Sequence, residues 1–388
     1  TLPLSPAAGA VVGVSDYAQT FDTDTLTLGR NGSNIGGSAN DSAIRTAGVA
    51  VTLVYVDATK GWIVTDSGLQ SEAPTPAYLA ATGGCITTCG NFKMHTFLGP
   101  GTFCVSVVGN PAGSDKVDYM IVAGGGGGGA GSVCGDYEAG GGGAGGYRES
   151  PGTGSGSYTV SPLGVAPAVA LPVSATPYSI VVGGAGAGST YTGAPGVPAG
   201  ANGSVSTFDS ITSAGGGGGG SRNSPSTPTA MGQAGASGGG AGQADDCATS
   251  QNFGAGNTPV EIPAQGTPGG RSAYPVGSPT ASGGGGGGGA VCVGGNASGG
   301  SNGGNGGAGA TSSINLTPTA RGGGGGGAGS CGSTGLGGAG GGGRGKAVGV
   351  SRTLGACNTG GGGGGGSGCG TPGGNGGSGI VIIRYQYQ

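Results

Sequence analysis

Four stretches of the first seventy residues place β-branched and aromatic residues in the pattern of short strands, at residues 25–28, 42–45, 50–57 and 61–65. Asn-Gly and Lys-Gly dipeptides stand between them, as turns require. Trp62, the one tryptophan, follows the second turn and is predicted to pack on Val54 and Val56. The pattern predicts a β-structured N-terminal module over residues 1–70.

Strand patterns resume after residues 71–82, whose proline and small residues are typical of a linker. They cover residues 85–88, 91–97, 102–108 and 117–123. The last of these strands leads directly into a run of six glycines. We interpret residues 83–123 as a small β meander on which the remainder of the chain is built.

Seven runs of consecutive glycine dominate residues 124–388, at residues 124–129, 140–143, 215–220, 283–289, 322–327, 340–343 and 360–366. One such run would be typical of a flexible linker. Linkers do not usually occur as a set, however, and segments of unlike sequence separate these runs. The arrangement therefore indicates a framework that carries varied inserts.

Consecutive glycines allow extended helices of three residues per turn to pack with neighbours on every side, whereas collagen needs glycine only at every third position. In a hexagonal bundle of polyglycine II helices, each backbone N–H and C=O bonds to an adjacent helix. At about 1 kcal/mol net per bond, such a network offsets the entropy of ordering glycine only when many runs pack together. The predicted fold class is all-β plus polyglycine II, in which small β modules precede a glycine-rich slab (residues 124–388) with strands at its base and essentially no α-helix.

Composition restricts the possible functions. Of 388 residues, 108 are glycine, 5% are aromatic and 7% are charged, which is too little large apolar side chain for an ordinary core of this size. A net charge of −3 with 13 basic residues argues against nucleic acid as a partner. No apolar stretch approaches the length of a membrane span, so we expect no membrane insertion.

The sequence motifs that could indicate catalysis or cofactor binding each lack a chemical group that the function requires. Gly345 and Lys346 imitate a phosphate-binding loop, but Ala347 lacks the hydroxyl that would hold Mg²⁺. His95, the one histidine, is expected on a strand face and not in a metal site. The acidic residues are too scattered to form a catalytic pair. We therefore predict that the chain is not an enzyme and that it holds no cofactor or metal.

The strands next to the glycine runs predict the direction of each run in the slab. Runs that begin near residues 124, 183, 215, 283, 322 and 360 should rise from the base, and those near 140, 200, 238, 299, 337 and 373 should return. Six loops then meet at the tip, over residues 130–139, 189–199, 221–237, 290–298, 328–336 and 367–372.

Loops on a rigid scaffold are where binding sites commonly lie. The receptor-binding candidates are the tip-loop residues with suitable side chains: Asp136, Tyr137, Tyr191, Arg222, Asn223, Met231 and Asn296. Tyr137 and Tyr191 are the strongest, because tyrosine offers a large contact area with a polar end. The alternative, that each of these residues only covers the slab, stays open.

The nine cysteines fit the same scheme. Four fall one in each of four tip loops and two in base connections, namely Cys134, Cys292, Cys331 and Cys369 at the tip and Cys247 and Cys357 at the base. We predict disulfides within the tip set and between Cys247 and Cys357; reduced thiols and a zinc site are the alternatives. The odd count predicts that at least one of Cys85, Cys89 and Cys104 is free unless two chains are bridged.

Two parts of the sequence resemble known proteins. LTLGRNGSNIGG followed by VAVTLVYVDATKGWIVTD, within residues 9–66, resembles a segment of bacteriophage tail-fibre and tail-spike proteins, especially those of marine and cyanobacterial phages. TGGCITTCGNFKMHTFLGPGTF, VDYMIVAGGGGGGAG and GGSGIVIIRY, spread over residues 81–388, resemble a glycine-rich domain of phage tail fibres and adhesins. A glycine-rich domain of certain animal receptor kinases is similar in packing, but the N-terminal module does not fit that family.

The resemblance implies a tail-fibre tip protein of the virion, an adhesin that binds a host outer-membrane protein or glycan through loops at the distal end. Its expected partners are that receptor and other tail-fibre subunits, with a homotrimer joined through the N-terminal module. The alternative is an extracellular filament or matrix protein in which the glycine array is the material itself.

Overall fold

The computed structural model describes residues 1–69, 76–131, 137–156, 158–191, 197–221, 231–243, 253–273, 282–298, 301–330, 333–368 and 370–388. The chain divides into two compact units, Thr1–Thr75 and Pro76–Gln388, and the boundary falls inside the predicted linker. Throughout the described residues, the regular structure consists of β-strands without a helix, as the fold-class prediction requires. Accordingly, that part of the chain has no helix long and apolar enough to cross a membrane.

The first unit contains strands β1 (Val11–Ser15), β2 (Leu26–Leu28), β3 (Ser42–Ile44), β4 (Val49–Asp57) and β5 (Gly61–Leu69). Strands β1, β4 and β5 form one antiparallel sheet, and β2 pairs with β3. Strand β1 was not among the predicted strands, because Gly13 interrupts its apolar pattern.

Trp62 is fully buried in the core of the first unit, together with Leu53. It lies opposite Tyr55 across β4 and β5, with ring centroids 5.6 Å apart. The predicted contact with Val54 and Val56 is wrong, since neither residue belongs to this core. These valines flank Tyr55, and successive side chains of a strand point to opposite faces.

The second unit contains β6 (Ala80–Thr82), β7 (Cys85–Cys89), β8 (Phe92–Phe97), β9 (Gly101–Val107), β10 (Lys116–Val122), β11 (Tyr147–Glu149), β12 (Leu171–Pro172), β13 (Pro177–Val181), β14 (Ser206–Phe208), β15 (Ile211–Ser213), β16 (Ala310–Ser312), β17 (Thr319–Arg321) and β18 (Ile380–Gln386). One sheet has the order β11-β10-β18-β8-β7, with β12 also paired to β10. A second sheet has the order β15-β14-β13-β9-β6, and β16 pairs with β17.

The strands predicted as a meander form, but they do not make one sheet. β18 lies between β10 and β8, pairing Ile382 with Met120 and Ile383 with His95. β9 instead joins β13 in the second sheet. The first six residues of β18 are buried, and a strand of that character is stabilised best at the centre of a sheet.

The two sheets share one core, to which Phe103, Tyr119, Phe208, Ile383 and Tyr385 contribute buried side chains. His95 is also fully buried there. Its Nδ1 lies 2.6 Å from the carbonyl oxygen of Gly83 and its Nε2 lies 3.1 Å from the hydroxyl of Tyr385. His95 is thus a core residue held by two hydrogen bonds, more deeply buried than a residue on a strand face.

Acidification is expected to destabilise the second unit through His95. Burial, with a smaller contribution from Lys93, lowers the pKa of His95 below its ordinary 6.5. The unfolded chain therefore binds the proton first, so stability that is complete above pH 6.5 is lost as the pH falls towards the folded pKa. The loss has a limiting slope of about 1.4 kcal/mol per pH unit. Thermal unfolding between pH 7.5 and 5.5 should show a smaller decrease in Tm for His95→Gln than for the wild type; equal decreases would contradict this.

The glycine segments hydrogen-bond to one another and not within themselves. Residues 123–131 (segment A) donate N–H groups in turn to residues 139–146, 197–204 and 371–379. The carbonyls of segment A accept from three other segments, residues 183–189, 214–221 and 360–367. Each neighbour recurs at every third residue, as Gly126 and Gly129 donating to Gly143 and Gly140 illustrate. Segment A is therefore enclosed by six neighbours.

Residues 139–146 (segment B) are enclosed in the same way. Their N–H groups donate to residues 214–221, 282–289 and 360–367, and their carbonyls accept from residues 123–131, 236–243 and 322–330. A Cβ added at Gly142 would lie 2.1 Å from the carbonyl oxygen of Gly126, closer than any real Cβ approaches. Glycine is required here because backbone packs directly on backbone.

The hydrogen-bond registers give the direction of each segment relative to the base, which is the end of the array that joins the sheets. The predicted directions near residues 124, 140, 183, 215, 322 and 360 are confirmed. Two directions were predicted wrongly. Residues 236–243 rise, since Ser237 and Gly240 donate antiparallel to Ala144 and Gly141 of the descending segment B.

Residues 283–289 descend, contrary to the prediction. Gly141 donates to Gly285 and Ala144 donates to Gly288, which is a parallel register with the descending segment B. The run ends at Ala290, which packs with Met120 and Ile382 at the base. The predicted tip loop 290–298 therefore begins at the base. The cause is an extra descending stretch, residues 231–235, in which Gln233 donates to Gly218.

Candidate functional site: the distal face

The distal face is the end of the glycine array opposite the sheets. Hydrogen bonds join the ends of neighbouring segments there: Gly131 N–H donates to Thr371 O at 3.0 Å, and Ser189 and Ser221 hydroxyls both donate to Pro198 O at 2.6 Å. Lys346 Nζ also donates to Thr371 Oγ1 at 2.7 Å. The distal face therefore consists of the ends of neighbouring segments, which the array beneath them holds in place.

Tyr137 and Tyr191 both lie at this face and are half-buried. Tyr137 leads into segment B, and Tyr191 follows residues 183–189, the segment that donates to Gly125 and Gly128. Segment B and residues 183–189 are neighbours of segment A on opposite sides of it. Going round segment A from segment B to residues 183–189, the segments 214–221 and 197–204 lie between them in one direction, and the segments 360–367 and 371–379 lie between them in the other. The two tyrosines thus flank the end of segment A.

The other predicted receptor contacts have different positions. Met231 begins the descending stretch 231–235, and its carbonyl accepts from Gln233 Nε2 at 2.7 Å. Asn296 lies near the distal face, where its side-chain oxygen accepts the N–H of Arg271 at 2.8 Å. Asp136, Arg222 and Asn223 lie outside the described residues.

The bond made by Asn296 belongs to a group of similar contacts in which an asparagine side-chain oxygen accepts a backbone N–H of an adjacent segment. The pairs are Asn202 with Gly218, Asn302 with Ser333, Asn305 with Leu336 and Asn375 with Gly188, all at 2.8–2.9 Å. In each case the side chain takes the place of a segment's carbonyl at the margin of the array. Asn296 therefore has a structural role of its own.

The cysteines show free thiols wherever the structure describes them. Cys85, Cys89 and Cys104 are free, as the odd count led us to expect for at least one of them. Cys292 and Cys357 are also free and exposed, so the disulfides predicted for them are not formed in this structure. Cys134, Cys247, Cys331 and Cys369 lie outside the described residues. The pairing of Cys134, Cys331 and Cys369 among themselves stays a prediction, whereas the predicted partner of Cys247 is free. Cys292 follows Ala290 at the base and is not in a tip loop.

A groove of about 580 Å³ opens beside the distal face, lined by Asn305, Ser333, Thr334, Leu336, Arg344 and Val350. Leu336 is 60% exposed. The Arg344 guanidinium donates to Ser351 O at 3.3 Å through Nη2, whereas its buried Nε has no hydrogen-bond partner among the described residues. The groove thus combines hydroxyl, amide and cationic groups with two apolar side chains, Leu336 and Val350.

This groove was not predicted from the sequence, although the charge distribution along the chain is a signal for it. Residues 262–388 contain no Asp or Glu, and their cationic residues are Arg271, Arg321, Arg344, Lys346, Arg352 and Arg384. Three of these six, at positions 344, 346 and 352, lie on two adjacent segments next to the turn at residues 347–350. The local charge there is positive without an acidic residue nearby in the sequence.

The buried carboxylates of the second unit are structural. Asp118 is fully buried and accepts from the Ser150 hydroxyl at 2.8 Å and from the Ser155 N–H and hydroxyl at 2.6 and 2.7 Å. Glu149 accepts from the Tyr147 hydroxyl at 3.0 Å and the Ser161 N–H at 3.1 Å, and burial raises its pKa. Across the described part of the chain, no three His, Cys, Asp or Glu side chains are grouped to hold a metal.

A family model described as a glycine-rich domain matches residues 99–386, from just before β9 to the end of β18. No curated protein matches the chain.

Proposed function

The chain belongs to the glycine-rich domain family, and from that premise we propose that its glycine segments are polyglycine II helices. Two features support the helix type. Hydrogen-bond partners recur at every third residue, which is the period of an extended helix with three residues per turn. Segments A and B each have six neighbours, as hexagonal packing requires.

We propose further that this scaffold presents a receptor-binding face, and that the protein is a phage tail-fibre tip protein attaching the virion to a host cell. The observation that carries the proposal is the distal face, where the ends of many segments meet on a rigid support. The resemblance of the sequence within residues 9–66 to phage tail-fibre and tail-spike proteins supports the same function. Attachment would be non-covalent and multivalent, since linked sites reach higher avidity than single ones; a homotrimer joined through the first unit would supply them.

The receptor class is a host outer-membrane protein or glycan. Tyr137 and Tyr191 offer aromatic contacts on both sides of segment A. The groove in the same unit adds Arg344 with hydroxyl and amide groups. That combination favours a saccharide with phosphate or carboxylate groups over a neutral one.

Binding of the full chain to intact bacterial cells tests this function. Replacing both Tyr137 and Tyr191 with Ala should weaken binding by about 30-fold, because each truncation of an aromatic anchor costs about 1 kcal/mol or more. Tyr17→Ala is the matched control, since Tyr17 is 100% exposed and belongs to the other unit. An unchanged Tm would establish that the double variant is folded.

Two other outcomes would redirect the proposal. Equal binding by the wild type and the double variant would show that the two tyrosines do not contact the receptor, while the proposal that the protein attaches to host cells would still hold. Absence of binding to every bacterium tested, together with assembly of the purified chain into filaments, would favour an extracellular structural or matrix protein.

A further inference from the structure

Strand β7 forms an uncovered edge of the second unit. It is the outermost strand of its sheet, and all five of its residues, Cys85–Cys89, are exposed. Both of its cysteines carry free, exposed thiols. They cannot bond to each other, because they lie four positions apart on an extended strand, a distance of about 13 Å.

The direction of the backbone groups along β7 follows from its hairpin with β8. A two-residue turn, with Gly90 at φ 52°, joins Cys89 to its partner Phe92. Asn91 O accepts from Tyr387 N–H at 2.9 Å and so faces β18. By alternation, Phe92 directs its N–H and C=O to β7, and Cys85, Thr87 and Cys89 direct theirs to β8.

The remaining two residues of β7, Ile86 and Thr88, therefore direct their N–H and C=O groups away from the sheet. These groups are four hydrogen-bonding positions on an open edge, which is a template for pairing with another strand. Thr87 lies at the midpoint between them. An antiparallel copy of β7 centred on Thr87 would place Ile86 opposite Thr88 of the partner subunit, and all four groups of each chain would be paired.

The same register brings the cysteines together. Cys85 would lie opposite Cys89 of the partner subunit in a pair without backbone hydrogen bonds, where the Cα atoms are about 4.5 Å apart. Disulfides span Cα distances of about 4.4–6.8 Å. We propose that two copies of this chain join edge to edge through β7 and are locked by two symmetric disulfides between Cys85 of each chain and Cys89 of the other.

Each bond forms when two thiols give up two protons and two electrons to an oxidant such as oxidised glutathione, which is reduced to two thiols. The inference rests on β7 alone and is independent of the receptor-binding proposal. If the distal face binds a receptor, the dimer would carry two such faces in one molecule, which would raise the avidity of attachment.

Oxidation of the purified full chain by glutathione disulfide, followed by non-reducing electrophoresis and mass spectrometry of the digested dimer, tests the proposal. We expect a covalent dimer whose cross-linked peptides join position 85 to position 89 and which a reducing agent returns to monomer. Cys104→Ser is the control and should leave the dimer unchanged. A product that remains monomeric, or one joined only through other cysteines, would overturn the inference.

Single substitutions test the register. Cys85→Ser and Cys89→Ser should each abolish the β7 cross-link, because each removes one partner from both symmetric bonds. A dimer of Cys89→Ser linked through position 85 in both chains would contradict the antiparallel register. Thr88→Pro should also prevent dimerisation while the β7–β8 hairpin is retained, since it removes an N–H that faces away from β8; full dimerisation of this variant would exclude pairing through the edge.

Discussion

Gly142→Ala is expected to lower the free energy of unfolding of the second unit by about 3 kcal/mol or more. The new methyl group would lie 2.1 Å from the carbonyl oxygen and 2.7 Å from the carbonyl carbon of Gly126. Segment B cannot move aside without loss, because Gly142 donates to Gly363 and accepts from Gly325, both at 2.8 Å. The new methyl group would clash with backbone atoms and not with a side chain, so the clash cannot be relieved by a change of rotamer.

Gly184→Ala provides the matched control. Gly184 lies in the rising segment of residues 183–189, but a Cβ there meets no atom of the described residues within 4 Å. Its φ lies outside the left-handed range, so alanine should be neutral or stabilise by about 0.4–1 kcal/mol through the unfolded chain. Urea unfolding followed by circular dichroism compares the two variants. Similar midpoints would mean that the array is not closely packed.

Phe103→Ala is expected to cost about 3–5 kcal/mol, the usual result of removing a buried aromatic side chain. Phe103 is 0% exposed, and its ring centroid lies 5.0 Å from that of His95, 6.0 Å from Phe208 and 6.2 Å from Tyr385. Its partners lie on β8, β14 and β18, so the side chain joins the two sheets that form the base. The cavity left by alanine would weaken both sheets and the array above them.

Val107→Ala on the same strand separates this effect from a general sensitivity of β9. Val107 is 51% exposed, and its truncation should change the free energy of unfolding by no more than about 0.5 kcal/mol. Phe103→Leu should fall between the two, because it retains most of the apolar volume. Equal losses for Phe103→Ala and Val107→Ala in the same unfolding experiment would show that the two sheets do not depend on Phe103.

The strands and the role of glycine could be predicted from local pattern, whereas the sheet partners could not. Residues 92–97 and 116–122 were located to within one residue, because β-branched and aromatic residues mark them. The strand that separates them in the sheet is residues 380–386. Pairing across that sequence distance leaves no periodic signal in either strand.

The directions of the segments failed for a related reason. The stretch 231–235 descends with Gly232 and Gly235 but without a glycine run, so a scheme that counts runs omits it. One omitted stretch reverses the next direction, which explains the errors near residues 238 and 283. The asparagines at the margin had a readable signal, since Asn305 and Asn375 each stand between glycine pairs.

The candidate site was found only in outline. The position of Tyr137 and Tyr191 at the distal face could be predicted, because it follows from the directions of residues 124–146 and 183–189, which are confirmed. The groove beside Arg344 was missed, because it requires two adjacent segments whose pairing depends on the turn at residues 347–350. Local composition indicates a loop but not the neighbour against which the loop lies.

The central position of β18 has a consequence for biosynthesis. Its partner β10 ends at residue 122 and β18 begins at residue 380, so 258 positions separate them. At roughly 5–20 residues per second, a ribosome needs about 13–50 s to cover that distance. During this time β8 and β10 lack their shared partner, and the apolar face of each strand is exposed in the nascent chain. The unit is therefore expected to fold late in translation and to require chaperone protection until residues 380–386 emerge from the exit tunnel.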